Sequence, residues 1–224
     1  MKLKALMTLI AMIFVLALGC SPKKTASSAT ASVLAVATRG SVVFFEGNVK
    51  IDGAAAEIGR ELGSKVDIET GPAASCDIVF DGKNAIRVEE NTQALLDFSS
   101  IVKEVSLKKG GLSAVLRKLA QVPGSDSFRV STATAIAGVR GTSFSIWVDD
   151  NSTYVCACNG TVRTIDSKGN NELTLAAAHH SARNYVRTGS AIHISPAGLA
   201  HHSDASMESL ASRIGEKIDW TKQE

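Results

Sequence analysis

The sequence predicts an all-β protein with one helix near its C-terminus. Between residues 33 and 182 the chain consists of short runs in which apolar and polar residues alternate, the period expected of half-buried strands. Glycine, asparagine and aspartate separate these runs, and such residues favour tight turns. A clear helical spacing of apolar residues occurs near the end of the chain. So many short, closely spaced strands indicate a β-sandwich, a β-roll or a short β-solenoid, with the helix packed on it.

The N-terminus predicts export from the cytoplasm. Two lysines precede a run over residues 5–18 that is apolar apart from Thr8, is short for a transmembrane helix and has the form of a signal peptide. Gly19 and Cys20 follow, and this end resembles the bacterial lipobox, in which the cysteine is acylated and becomes the mature N-terminus. The resemblance implies a signal peptide over residues 1–19 and lipidation of Cys20. The alternative is an ordinary cleaved signal peptide.

The stretch after Cys20 predicts a tether to a membrane. Residues 21–32 are small and polar, as in flexible linkers, so residues 20–32 are interpreted as a lipidated cysteine and its tether. Acyl chains on Cys20 would hold the protein on a membrane. Ser21 after the cysteine favours the outer membrane by the sorting rule of enteric lipoproteins. We therefore expect a lipid-anchored protein of the cell envelope that faces the periplasm.

Composition argues against several functional classes. The formal net charge is +2 and the basic residues are spread along the chain, so no cationic cluster predicts a nucleic-acid partner. The sequence contains no Gly-x-Ser-x-Gly motif, no P-loop and no Rossmann glycine pattern. We therefore expect a protein that is not an enzyme.

The predicted strands share the alternating pattern and are bounded by turn residues. They are SVVFF (41–45), KVDIET (65–70), CDIVF (76–80), AIRVE (85–89), ALLDF (94–98), VSLKK (105–109), SFRVST (127–132), SFSIWVD (143–149), TYVCAC (153–158), TVRTID (161–166) and ELTLA (172–176). KGG (109–111) and CNG (158–160) are among the predicted turns. Residues 112–120 suit either a short helix or another strand, because their periodicity does not distinguish the two.

The segment GVRGT, residues 138–142, predicts a sharp corner between two strands. Gly138 and Gly141 are positions that can adopt a positive φ or let another part of the chain approach closely. Arg140 is expected to stabilise the corner by binding carbonyl groups or a carboxylate, and Thr142 completes it. We interpret these residues as structural.

A loop and a helix are expected over residues 183–224, after a β domain over residues 33–182. One further strand is predicted at residues 191–194, followed by a Pro-Gly loop. Ser203 and Asp204 can cap a helix. The apolar residues that follow recur with helical spacing and predict a face that packs on the β domain: Met207, Leu210, Ala211, Ile214 and Ile218.

The middle of the chain resembles the FecR domain family. The residues that fill the places of its most recognisable motif are Phe128–Thr134, Gly138–Thr142, Phe144, Asp149–Asp150 and Gly160–Val162. The resemblance extends over residues 33–185 and implies an extracytoplasmic, non-catalytic binding or signalling module. Some family members also carry a transmembrane helix and a sigma-factor-binding segment and regulate iron uptake. We expect only the β module to transfer to this chain.

Cys156 and Cys158 are candidate metal ligands. Side chains two apart on a strand point to the same face, so both sulfurs are expected on one side of the sheet. All five histidines of the chain follow this pair, and two thiolates with imidazoles suit zinc, an iron–sulfur cluster or, through a histidine, a haem. The alternatives are two small buried side chains, or a disulfide between Cys76 and one of the pair.

A subset of FecR-type lipoproteins resembles this chain in combining a C-x-C strand with a later His-His pair and a histidine before the last helix. This resemblance implies Cys156, Cys158, His180 and His202 as the ligand set, with His179 as a further candidate. The sequence as a whole thus predicts a non-catalytic envelope lipoprotein that binds a ligand, with a metal or metal cofactor as the candidate. The alternative is an envelope protein-interaction or signalling module whose cysteines are structural.

Overall fold

The computed structural model describes residues 39–117, 119 and 126–223, and the predicted signal peptide and tether lie outside these residues. The elements of the described part are β1 (Gly40–Glu46), β2 (Val49–Ile51), β3 (Ala54–Ala55), β4 (Lys65–Thr70), β5 (Ser75–Phe80), β6 (Asn84–Val88), β7 (Gln93–Asp97), β8 (Lys103–Leu116), β9 (Phe128–Ser131), β10 (Ala135–Val139), β11 (Ser143–Val148), β12 (Ser152–Asp166), β13 (Leu173–Ala177), β14 (Ser181–Thr188), β15 (Ala191–Ala197) and α1 (Asp204–Ser212). The all-β prediction with one C-terminal helix is confirmed.

The strands form two sheets that share two members. The first sheet has the order β1-β5-β6-β8-β11-β12-β14-β15 and is antiparallel throughout. The second has the order β3-β2-β4-β7-β8-β9-β10-β12-β13, with one parallel pair between β8 and β9. The side chains between the sheets form the main apolar core, as in a β-sandwich.

The shared strands, β8 and β12, each bend at a glycine as they pass from one sheet to the other. Residues 103–109 of β8 pair in the second sheet, and residues 110–116 pair in the first. In β12 the order is reversed, with residues 152–159 in the first sheet and residues 160–166 in the second. Gly110 and Gly160 have φ angles of 78° and 115°. The turns predicted at KGG and CNG were therefore wrong, because these glycines bend a strand without ending it.

Phenylalanine rings fill the centre of the core. Phe80 of the first sheet lies 4.8 Å from Phe98, which follows β7, and 6.2 Å from Phe128 of the second sheet. Phe128 lies 6.0 Å from Phe144, which returns to the first sheet. All four side chains are almost completely buried, and each such burial stabilises the fold by about 1.5–3 kcal/mol.

The helix α1 packs on the outer face of the first sheet, where a second apolar cluster forms beneath it. Ser203 caps its N-terminus through a reciprocal pair of hydrogen bonds with Ser206. The helix ends at Ser212, earlier than its apolar spacing predicted, so Ile214 and Ile218 follow it while remaining 9% and 8% exposed. In the described part of the chain, no helix has the length and apolarity to span a membrane.

The first sheet continues beyond residue 182, where the sequence predicted mainly a loop. Strand β14 crosses this point and β15 pairs with it along seven residues, from Ala191 to Ala197. The predicted strand at residues 191–194 forms the first part of β15, whose polar residues His193 and Ser195 lie on one face. Residues 112–116 of the segment that suited either a helix or a strand form the end of β8, whereas residues 118 and 120 of that segment lie outside the described residues.

Candidate metal centre

Strand β12 places Cys156 and Cys158 side by side beneath the helix. Both side chains are fully buried in the cluster under α1, whereas Ala157 between them faces the main core. Cys156 is paired with Ser145 of β11 on one side and Ala182 of β14 on the other. The two sulfur atoms are 3.9 Å apart. The strand is thus held from both edges at the point where its thiols project.

His180 reaches the cysteines because the strand pairing along this edge of β12 is interrupted opposite Cys158. Strands β13 and β14 follow the same edge of β12, and residues 178–180 connect them. The His180 amide donates to the Cys158 carbonyl at 2.9 Å, and a φ of 53° turns its side chain over β12. Its Nδ1 lies 3.6 Å from the Cys156 sulfur.

His202 comes from the loop between β15 and α1. Its Nε2 lies 3.2 Å from the Cys158 sulfur and 3.4 Å from His180 Nδ1. Its Nδ1 lies 2.8 Å from the carbonyl oxygen of Ala200. A carbonyl oxygen can only accept, so Nδ1 carries the hydrogen and the lone pair of Nε2 faces the sulfurs.

Four potential ligand atoms therefore converge on one point. Those of Cys156, Cys158, His180 and His202 all lie within 4.8 Å of one another. A tetrahedral zinc ion with its usual bond lengths holds two sulfurs about 3.8 Å apart, a sulfur and a nitrogen about 3.6 Å apart, and two nitrogens about 3.4 Å apart. Four of the six separations in the structure, 3.9, 3.6, 3.2 and 3.4 Å, lie within about 0.4 Å of these values.

Asp204 orients His180 from the first turn of α1. One carboxylate oxygen accepts from His180 Nε2 at 2.7 Å and the other from His179 Nε2 at 2.9 Å. His180 Nε2 carries the hydrogen that it donates to this carboxylate. The other ring nitrogen, Nδ1, therefore turns its lone pair toward Cys156. Metal-bound histidines are commonly fixed by such a carboxylate. His179 is half exposed and forms a second group with His180 and Asp204.

The electrostatics of the cluster favour a thiolate beside imidazoles. Hydrogen bonds lower the pKa of Cys156, chiefly the one from Cys158 and then those from His180 and His202, whereas burial raises the pKa of Cys158. Burial alone would lower the pKa of His180, but its hydrogen bonds with Cys156 and Asp204 raise it. Metal binding would therefore displace protons from the site.

The remaining cysteine and histidines of the described chain lie elsewhere. Cys76 is buried in the main core, on the opposite face of the first sheet from Cys156 and Cys158, and all three thiols are free. The alternative of a disulfide from Cys76 is therefore not formed in this structure. His193 is exposed on β15, and His201 stacks on Trp147 with ring centroids 4.8 Å apart.

The predicted corner at residues 138–142 carries the chain from β10 in the second sheet to β11 in the first. Gly141 has a φ of 63°, whereas Gly138 lies within β10, where a Cβ atom would stand 2.0 Å from Asp126 Oδ2. Thr142 is fully buried, donates its hydroxyl to the Thr161 carbonyl at 2.9 Å and accepts from the Thr161 amide at 3.0 Å. Arg140 is exposed in this turn.

Sequence reasoning missed the roles of Asp204 and Trp220. Asp204 was expected only as a helix cap, although its position two residues after His202 was visible. The Trp220 ring lies 4.9 Å from that of His179 and 5.1 Å from that of His180. It covers the outer side of these imidazoles, and no sequence spacing indicates that contact.

The comparison with solved structures finds similar folds at low identity. Two crystal structures of a candidate anti-sigma factor from Parabacteroides distasonis ATCC 8503, at 2.50 and 1.65 Å resolution, match with TM-scores of 0.48 and 0.45 and 16% identity each. The matches cover 59% and 58% of this chain. They cover 60% and 59% of those chains, so this chain spans about three-fifths of their length. No curated protein matches the sequence.

A family comparison identifies the domain. Residues 66–163 match the family described as FecR protein. The matched stretch begins in β4 and ends in β12, so it includes Cys156 and Cys158 but stops before His180 and His202. The resemblance noted from the sequence is thus confirmed over residues 66–163, which match the FecR family.

Proposed function

We propose that this protein is a non-catalytic binding module of the bacterial cell envelope that holds one metal ion. Cys156, Cys158, His180 and His202 are the ligands. The observation that carries this proposal is the shared orientation of both imidazoles. His180 and His202 each use one ring nitrogen to donate to an oxygen, and each turns the other nitrogen toward the paired sulfurs.

The ligand set favours a single zinc ion. Two sulfurs and two nitrogens at tetrahedral separations are the donors of structural zinc sites. In a two-iron cluster of the Rieske type, cysteines and histidines bind different irons, which would separate their donor atoms. Here Cys158 Sγ lies 3.2 Å from His202 Nε2, a distance that suits ligands of one ion. A haem is disfavoured because these side chains contact one another directly.

The same geometry supports a non-catalytic role. Catalytic zinc usually has three protein ligands and keeps one position for water or substrate. Four protein ligands fill a tetrahedral ion, and Cys156 and Cys158 are fully buried. The FecR match agrees with this role, since the family resemblance implies binding or signalling.

The proposed setting in the cell is the periplasmic side of a membrane, with the outer membrane as the specific site. It rests on the signal-like residues 1–19, on Cys20 as the lipidated residue and on residues 20–32 as the tether. Residues 33–182 would then form the FecR-type domain, and residues 183–224 its C-terminal extension. Labelling cells with a fatty-acid analogue, with Cys20→Ser as the control, tests this part.

The test of the metal site is the metal content of the full chain, purified without chelators or affinity histidines. We expect about one zinc per chain, because a closed site has one ion. Cys156→Ser/Cys158→Ser and His202→Ala should each lose the ion. Cys76→Ser removes a buried thiol from the other face of the sheet and should keep it. Metal-free wild-type protein that stays metal-free on titration with zinc would refute the site.

A second candidate function is an envelope protein-interaction or signalling module with structural cysteines. The FecR match favours it, because that match ends at residue 163 and does not include the two histidines. This candidate predicts that Cys156→Ala/Cys158→Ala folds normally and binds its envelope partner without metal. Crosslinking in intact cells, with and without zinc depletion, distinguishes the two candidates.

A further inference from the structure

The proposed ligands join three separate parts of the chain. Cys156 and Cys158 belong to the sheet, His180 belongs to its edge, and His202 precedes the helix. We call residues 198–223 the C-terminal arm. His202 is the proposed ligand that the arm contributes, so an ion at this site would connect the arm directly to β12.

We propose that the metal ion fastens the C-terminal arm to the first sheet, and that loss of the ion lets the arm open. This inference rests on the proposed metal site. The ion would then have a regulatory role. With the ion bound, the arm covers one face of the first sheet, and without it that face is uncovered. The FecR-type β body is expected to stay folded in both states.

The arm has little stability of its own. Its helix has nine residues, and isolated helices shorter than about 12–15 residues are marginal in water. Its attachment combines a small apolar set with the ion pair of Arg213 and Asp77 and with hydrogen bonds from the Asn159 amide to the Asp219 and Lys222 carbonyls. The apolar set is Met207, Leu210, Ala211, Ile214 and Ile218. An additional tie at its N-terminal end therefore has a large effect on whether the arm is closed.

The ion and the helix are coupled through Asp204. This residue lies in the first turn of α1, where a carboxylate is favoured by the helix dipole, and it also holds His180 at 2.7 Å. An ion bound to His180 and His202 would hold the start of α1 in two ways. It would act through Asp204, which binds His180, and through His202, which lies just before the helix. Asp204 is thus a positioning residue, because it acts on the ion through His180.

Without an ion, the direct contacts of His202 with the sheet are weak, and the arm is held at this site by the hydrogen bonds of Asp204 with His179 and His180. The Cys158 thiol is a weak donor to His202 Nε2, and His180 and His202 face each other at 3.4 Å through nitrogen atoms. The face beneath the arm would then be exposed to solvent. Its residues are Ala85, Val115, Tyr154, Cys156, Cys158 and Ala182.

Hydrogen–deuterium exchange of the full chain, loaded with zinc or stripped with a chelator, tests the proposal. An ion that binds only the closed arm lowers the population of the open arm about 100-fold at a free concentration about 100 times its Kd. We expect stripping to speed exchange in α1 by about this factor and to leave β4–β8 protected. Adding zinc back should restore slow exchange.

Matched variants separate the ion from ordinary packing. His202→Ala removes the arm's ligand and should give fast α1 exchange whether or not zinc is present. Met207→Ala weakens the packing of the helix without touching a ligand, so its exchange should rise yet still respond to zinc. Asp204→Asn should bind one zinc about 10–100-fold more weakly, as expected when a partner of a metal-bound histidine is lost.

Trp220 provides an independent signal of arm position. The chain has two tryptophans, so Trp147→Phe leaves Trp220 as the sole tryptophan, beside His179 and His180. Excitation at the red edge of the spectrum avoids the two tyrosines. Zinc removal should shift its emission toward that of a solvent-exposed indole.

The outcomes distinguish the two proposals. Zinc binding with unchanged α1 exchange on stripping would overturn the arm proposal and leave the metal site intact. Loss of protection throughout β4–β8 would also overturn it, because the ion would then support the whole fold. A chain that binds no zinc would overturn both.

Discussion

The buried carboxylate of Asp77 binds Arg213 of the C-terminal arm at 2.9 Å, across 136 residues of sequence. Arg87, on the neighbouring strand, holds the same carboxylate through two hydrogen bonds of 2.6 and 2.8 Å. Asp77 is fully buried, whereas the Arg213 side chain is 30% exposed. The acid therefore neutralises two cations, one from the sheet and one from the arm.

Asp77→Asn should destabilise the protein strongly, because it leaves the charge of Arg87, whose side chain is only 11% exposed, unpaired. Removing one partner of a buried ion pair costs about 3–5 kcal/mol of unfolding free energy. Arg213→Ala should cost less, since Arg87 still neutralises Asp77. Urea unfolding at neutral pH measures both changes, and equal losses for the two variants would contradict this account.

Thr142→Ala should destabilise the corner between β10 and β11. The substitution leaves the Thr161 amide without its acceptor and the Thr161 carbonyl without its donor. Unsatisfied groups of this kind cost about 1–3 kcal/mol. Thr142→Ser keeps the hydroxyl and should retain most of the stability. Arg140→Ala, at an exposed position of the same turn, is expected to cost less than Thr142→Ala and to leave the metal content unchanged.

Gly138→Ala should displace Asp126 from its place against β10. The new methyl group would overlap the Asp126 carboxylate, which binds Arg163 at 2.7 Å. Overpacking of this kind costs about 1–3 kcal/mol. Gly198→Ala is the matched control, since its Cβ would have no neighbour within 4 Å. Thermal unfolding measures the loss of stability. Gly138→Ala should lower the melting temperature less in an Asp126→Ala protein than in the wild type. An equal decrease in both would contradict the proposed clash.

The described thiols should differ in reactivity toward iodoacetamide. Burial raises the pKa of Cys76 to about 12, so this thiol stays protonated and unreactive in the native protein near neutral pH. The lowered pKa of Cys156 favours its thiolate, which should be alkylated once a chelator has removed the ion. Mass spectrometry of digests reports each site. Alkylation of Cys76 before Cys156 in chelator-treated native protein would contradict the assignment.

The sequence predicted best those strands that have one face in the core and the other face exposed to solvent. KVDIET matches β4 residue for residue, and its side chains alternate between exposed and buried. The pattern failed at Gly110 and Gly160, where glycine is used to bend a strand that passes between sheets. It also failed along β10, because its small residues, including Gly138, were interpreted as part of a turn.

The candidate site was predictable in composition but not in orientation. The two-residue period places Cys156 and Cys158 on one face, and the chemistry of sulfur and imidazole indicates a metal. The directions of the imidazole lone pairs depend on Asp204 and on the Ala200 carbonyl. Ala200 and Asp204 reach the site because the chain after β15 folds back over the first sheet. The spacing of residues in the sequence does not indicate this path.

The passage of β8 and β12 through both sheets limits how this protein can be engineered. A cut or insertion at either bend would sever a strand that each layer needs, so complementary fragments divided there should reassemble poorly. The β5–β6 hairpin tip, with exposed residues 81–83, interrupts neither shared strand. Fusion partners and affinity tags inserted within the domain therefore belong at that tip, away from the two glycine bends.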